Sequence, residues 1–553
     1  MERRNSIRQL VAVAVVATGL SLFAGSVSAR PDTSVGGKPR AVEQLRLAGG
    51  AWGYPSPFAY VRGPGLAHVN FLFDTLLWKD ASGKPIPWLA EKWERSPDGL
   101  QWHFKLRKGI RWHDGRPLTA RDVAFTFDYL RTGAGRTATG IVGSVEFIAD
   151  VKAVSASTVV MRLASRFAPF PITIAGRVPI IPEHIWRDVS DPVKYRDPKA
   201  LIGSGPYRLT GYDEASGSYR YAANREYFLG VPVVRSLVFV PAPDPLLALR
   251  RGEIDVAGLP TEEGVPTGAL EPFSNGKFGR ISAPGEWHRA LHFNMTRGFP
   301  YNERQFRQGV AHAINRFGLV RRLLFGRGRP GSLGILAPSS PFAAEDLPTY
   351  PYSQATARRL LDAVGLRDRD GDGMRDLASG QAFTPELQTS ARFAPETAEL
   401  IQQDLRAVGL DVRIRSLDTT GADAAAAAGR YEMALIGYGG LGGEPDTLRG
   451  MLSAASRSRS FTRVHGYSSP RFEELAAAQL VTVRASTRKR QIIEMQQVVA
   501  GDVPVISLYV PTRTEIFVKN GFNAWYYTPG GVFGGYPGPL NKHAFVMGKK
   551  TGF

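Results

Sequence analysis

The sequence predicts an α/β fold: a mixed or mostly parallel sheet carrying packed helices. Three observations predict it. Strand-like and helix-like patterns alternate from Asn302 onward at the spacing of β–α units. The chain has 553 residues, enough for two to four packed units. Its composition, 43% hydrophobic and 22% charged, is that of a globular protein, and no repeat of fixed period runs through it.

Taken in chain order, the first segment reads as an address. Arg3, Arg4 and Arg8 precede an apolar run from Leu10 to Ala24, and small residues lead to Val27-Ser28-Ala29. A positive start, a short apolar middle and small residues before the cut form a secretory signal, with cleavage expected after Ala29. Residues 30–44 read as a leader. A first strand, Leu45 to Ala48, enters an aromatic loop holding Trp52, Tyr54, Phe58 and Tyr60. Leu100 to Arg111 alternates as a strand pair, with Trp102, Phe104 and Leu106 on one side and a Lys108-Gly109 turn. Thr119 and Asp122 form a capping box for a helix carrying Val123, Phe127 and Leu130.

The second half is more regular. A single helix is predicted from Asn302, with Phe306, Val310, Ile314, Phe317 and Val320 on its apolar face and Gly326 as its stop. Ala357, Leu360, Leu361 and Val364 mark another helix, ended at Gly365. A strand at Phe383–Ser390 is followed by a helix carrying Ala398, Ile401, Leu405 and Val408. Strands follow at Val412–Ile414 and Tyr431–Gly437, and a helix Arg488–Ala500 feeds the strand Val505–Tyr509.

Composition excludes several chemistries. Cysteine is absent, so no disulfide, thiolate metal site, cysteine nucleophile or lipid-modified N-terminal cysteine exists. The formal net charge is +19, about +17 once residues 1–29 are removed, but no run of five Lys/Arg occurs. That pattern is a solvated basic surface, not a nucleic-acid-binding stretch. Gly437-Tyr438-Gly439-Gly440-Leu441-Gly442 spells a dinucleotide loop, yet no acidic residue follows about 20 positions on. Asp368, Asp370 and Asp372 begin like a calcium loop, but Ser379 stands where its closing Glu belongs. No cofactor, metal or catalytic constellation is expected. A secreted hydrolase whose catalytic groups converge from distant positions stays open as the alternative.

The stretch PWLAEKWERSPDGLQWHFKLRKGIRWHDGRPLTARDVAFTFDYL (Pro87 to Leu130) resembles the signature of the family 5 extracellular solute-binding proteins, receptors of ABC importers for dipeptides, oligopeptides and nickel. The likeness continues through GSGPYRL (Gly203–Leu209), RRGEIDV (Arg250–Val256), LHFNMTRGFPYNERQFRQGVAHAINR (Leu291–Arg316) and QQVVAGDVPVISLYV (Gln496–Val510). It implies a two-lobed periplasmic binding protein of the large three-subdomain form, hinged between its lobes and holding its ligand in the cleft. Lobe 1 would comprise 30–285 and 506–553, with an extra subdomain at about 76–200, and lobe 2 would comprise 286–505. Crossings are expected near Gly285–His292 and Val505–Pro511. The implied partners are an ABC permease with its ATPase subunits and a small organic solute or peptide. The receptor would be a monomer, reaching the membrane only through the permease.

One departure from the pattern matters. In peptide-binding relatives, the loop after the strand matching Tyr431–Gly437 carries an Asp that pairs with the ligand's α-ammonium. Here Leu441 stands at that position; Glu444 and Asp446 lie nearby, but the acid before Pro belongs to the family pattern itself and is no obvious replacement. Breaking such a buried pair costs about 3–5 kcal/mol. The departure leads to the expectation of a ligand not held by a free amine, with a peptide whose amine is caught elsewhere as the alternative. Tyr438, Gly439, Gly440, Leu441, Glu444 and Asp446 are the expected ligand-binding loop residues. Tyr54 and Phe58 in the first loop, Trp287 and Arg289 at the first crossing, and Trp525 complete the candidate set.

Overall fold

In the computed structural model, residues 40–60, 65–131, 135, 145–259, 267–439, 443–456, 460–519, 521–531 and 538–551 are described. The expected signal segment lies outside them, as do Gly440 and Leu441.

The alternating patterns resolve into two large mixed sheets and a smaller antiparallel one. The first sheet has seven strands, in the spatial order Phe278–Ala283, Arg513–Val518, Val256–Gly258, Leu45–Ala48, Ser236–Val240, Ser218–Ala223 and Tyr207–Asp213. Leu45–Ala48 pairs in parallel with both of its neighbours, and its Leu45 and Leu47 enter a core rich in Phe, Tyr and Trp.

The second sheet has six strands: Gly328–Pro330, Val505–Pro511, His288–Phe293, Met433–Tyr438, Glu386–Ser390 and Arg413–Leu417. Its central strand His288–Phe293 is antiparallel to both neighbours and wholly buried, because helices cover both faces. Helix Pro395–Arg406 places Ala398, Ile401 and Leu405 against one face. Helices Pro470–Val481 and Ala485–Asp502 cover the other through Phe472, Leu475, Ile492 and Met495.

The third sheet, Ala90–Arg95, Gln101–Leu106, Thr158–Leu163 and Ile148–Ser155, packs on helix Ala120–Arg131 over its own core. Thr119 N–H donates to Asp122 at 2.8 Å, the reciprocal half of the expected cap.

Some local expectations need correction. Leu100–Arg111 yields one strand, not two, since Gln101–Leu106 finds its partners at Ala90–Arg95 and Thr158–Leu163. The helix predicted from Asn302 is two helices, Arg304–Ala313 and Arg316–Leu323. Asn315 breaks it: its side chain accepts from Gly318 N–H and caps the second helix, whose rotation turns Phe317 outward. The strand Val505–Pro511 pairs within the second sheet, and the first sheet resumes only at Arg513. The two sheets are therefore joined by adjacent crossings, residues 284–287 and Thr512.

Candidate functional site

At the first crossing the backbones run nearly in contact. A Cβ on Gly285 would lie 1.9 Å from the Pro511 carbonyl oxygen, so only glycine lets the two strands pass this closely. Glu286, next in the chain, turns inward and is buried. Both of its carboxylate oxygens accept from Gly530 N–H, at 2.9 and 3.1 Å. Gly530 itself abuts Gly443, where a Cβ would come within 3.1 Å of the Gly530 Cα. A loop following the first sheet's last strand thus touches both the crossing and the glycine-rich loop of the second sheet. Lys79 joins this corner by donating to Pro529 O at 3.1 Å. A further contact ties the third sheet's unit to the second lobe, Ala168 N–H donating to Leu480 O at 2.8 Å.

Burial pushes the Glu286 carboxyl up to about 7, against the opposing pull of Gly530 N–H and of Lys79. Burial also pushes Lys79 down to about 8, with Glu286 opposing. Between its ordinary 4.5 and about 7, the folded chain holds the Glu286 proton while the unfolded chain has lost it. The stability Glu286 contributes is therefore complete below the lower value and is lost as pH rises through the upper one. Buried His68, His113, His288 and His292, whose pKa values are lowered by desolvation, act with the opposite sign in the acidic range. Subtracting the pH–stability curve of Glu286→Gln from that of the wild type removes them. The difference is expected to fall with rising pH across that window, as measured by thermal melts.

Trp287 is half-buried and lies flat on the second-lobe loop: a Cβ on Gly439 would meet its ring carbon Cε3 at 2.1 Å. Gly437 leaves room for the indole Nε1 and for Arg289 Nη1, which a Cβ there would approach to 3.0 and 3.4 Å. Arg289 is buried, its guanidinium 5.6 Å from the Phe393 ring centre. Trp287 and Gly439 therefore form one half-buried patch beside the crossing, with Gly437 and Arg289 buried against the indole, and glycine is what makes it possible. Tyr438 points the other way, into the core, stacked on His288 with ring centres 5.0 Å apart.

The two acids nearest the missing Asp, Glu444 and Asp446, are otherwise engaged. Glu444 is ion-paired with Arg488, with both side chains nearly buried. Desolvation raises its pKa and Arg488 opposes the rise. Asp446 receives both arms of Arg449 at 2.7 Å, and Gln479 donates to it at 2.7 Å. Tyr54 donates to Asp197 O at 3.2 Å, beneath the Arg196 guanidinium. Phe58 packs edge-on to Trp186 at 4.9 Å, bridging the cores of the first and third sheets. Trp525 is buried among Phe517, Phe522 and Phe545 in the first core.

Sequence reasoning missed Glu286, Lys79, Gly443 and Gly530. Glu286 and Gly530 are 244 positions apart, and no spacing rule connects them. Asp368, Asp370 and Asp376 lie close enough to share an ion, and each also accepts from a backbone N–H of its own loop.

Comparison with known proteins is consistent with this arrangement. A family model described as bacterial extracellular solute-binding proteins, family 5 Middle, matches residues 84–460. The dipeptide-binding protein of Escherichia coli (strain K12) is 26% identical over 466 residues, covering 79% of this chain and 84% of the relative. The nickel-binding periplasmic protein of the same organism is 28% identical over 389 residues, covering 66% and 69%. Among solved structures, the oligopeptide-binding protein AppA from Bacillus subtilis, in complex with a nonapeptide, superposes with a TM-score of 0.73 at 21% identity. That match covers 87% of this chain and 96% of AppA.

Proposed function

Because the chain belongs to the family 5 bacterial extracellular solute-binding proteins, we propose that it captures an organic solute between its two lobes and hands it to an ABC permease without altering it. Binding is mechanical. A ligand touching both lobes favours the closed state by the difference in its affinity for closed and open forms. The adjacent crossings at 284–287 and Thr512 are the pivot, and the Trp287–Gly439 surface is the contact offered beside it. Among the described residues, no helix is long and apolar enough to cross a membrane.

The solute class follows from the second-lobe loop. Leu441 stands at the position of the amine-binding Asp, and the nearby acids Glu444 and Asp446 are neutralised by Arg488 and by Arg449 with Gln479. The engagement of these two acids is the observation that carries the reading. A ligand ammonium brought to Glu444 or Asp446 would have to break an existing ion pair. The solute is therefore a modified peptide, a sugar-containing compound or another organic molecule held without a free α-amine. Titration calorimetry with a mixed library of tri- to pentapeptides tests this. Weak binding, equal for free and N-acetylated libraries, is expected. Sub-micromolar binding that N-acetylation abolishes would defeat the proposal.

A further inference from the structure

Phe317 is the most exposed large apolar residue of the described chain, at 76%. Its helix, Arg316–Leu323, buries Leu319, Val320 and Leu323 and turns Phe317 and Arg321 to solvent one turn apart. Phe325 follows two residues beyond the helix, 51% exposed and at φ 49°. A bulky residue rarely takes that backbone conformation, and here it holds a second ring out in water. Arg322 follows Arg321 and is also exposed.

Next to this face is a cavity of about 240 Å³, lined by Gly318, Arg321, Arg322, Tyr352, Gln354 and Asp404 among others. Neither the Arg321 nor the Arg322 guanidinium makes an ion pair or hydrogen bond among the described residues. Asp404 is the one carboxylate in the lining, and it accepts from Asn315 N–H at 2.8 Å.

We propose that the face formed by Phe317, Arg321, Arg322 and Phe325 docks on an anionic phospholipid surface, the two rings entering the headgroup boundary and the arginines meeting phosphates. Isolated protruding rings flanked by two exposed arginines, of which Arg322 interacts with Asp404 at the cavity, suit an interface whose depth is apolar and whose surface is negative. A protein partner would favour a contiguous apolar patch with pockets, whereas the cavity here is polar. This contact is independent of the identity of the solute, and it adds a direct membrane contact to the one expected through the permease.

The test is flotation of the purified chain with vesicles of phosphatidylcholine alone or mixed with phosphatidylglycerol. The expected result is binding to the anionic vesicles at low salt, at least tenfold tighter than to the neutral ones. Phe317→Ser with Phe325→Ser should weaken it at least tenfold. Arg321→Gln with Arg322→Gln should weaken it and flatten its salt dependence. Val154→Ser, at an exposed position on the third sheet, should bind as the wild type does. All five positions are on the surface, so unchanged melting temperatures will show that the variants are folded. Equal binding to both vesicle types would overturn the proposal, as would anionic binding that the phenylalanine pair does not alter. So would absence of vesicle binding, including the case where the rings matter only for capture by purified permease.

Discussion

Asp74→Ala is expected to lower the unfolding free energy by about 3–5 kcal/mol, the usual result of orphaning one half of a buried ion pair. Asp74 and Lys542 meet at 2.6 Å with neither side chain exposed. Trp88 Nε1, Tyr227 Oη and Ser204 Oγ donate to the same carboxylate at 2.8, 3.1 and 3.1 Å. Lys542 also donates to Phe73 O at 2.9 Å and sits 4.3 Å from the Trp78 ring centre. The pair ties the C-terminal helix Lys542–Met547 to the junction between the first and third sheets. Removing Asp74 leaves the ammonium with one carbonyl, two indole faces and no counter-charge. Lys542→Met added to Asp74→Ala should recover part of the loss, because the uncompensated charge goes with it. Urea denaturation of wild type, both single variants and the double variant measures this. A double variant no more stable than Asp74→Ala would contradict the account.

Gly285→Ala is expected to have the next largest effect. The new Cβ would meet the Pro511 carbonyl oxygen at 1.9 Å, and Val510 Cγ1 at 3.2 Å. The obstructing group is backbone of the second crossing, which cannot move aside as a flexible side chain would. Overpacking commonly costs about 1–3 kcal/mol, and this clash belongs at or above the top of that range. Relief requires the crossings to separate, which shifts the pivot of lobe motion. Gly268→Ala, with open space around its Cβ, is the matched control. A lower melting temperature is expected for Gly285→Ala, together with weaker binding of the solute that co-purifies with the protein. A variant matching the control in both would show that the crossings are loosely packed.

Which parts of this molecule could be read from its sequence follows from the range of each interaction. Helix Ala120–Arg131 was legible because its cap lies three residues from its partner, and strand Leu45–Ala48 because its buried residues alternate. The regular second half followed from periodicity for the same reason. Phe317 misled because its spacing fits a continuous helix, while the Asn315 cap resets the helical phase. The Val505–Pro511 boundary depended on which sheet a fully buried strand joins, and both of its faces are buried in either case. At the site, the glycine-rich loop was visible as composition. The engagement of Glu444 by Arg488, 44 residues on, and of Glu286 by Gly530 required the fold.

Closure of two lobes about the paired crossings is the central claim, and small-angle X-ray scattering of the full chain tests it most directly. The solute released from purified protein and identified by mass spectrometry is added back to the stripped chain. The account predicts a smaller radius of gyration with the solute than without it, and recovery of that solute chemically unchanged. Superimposable scattering curves at saturating solute, or conversion of the solute to a product, would contradict it.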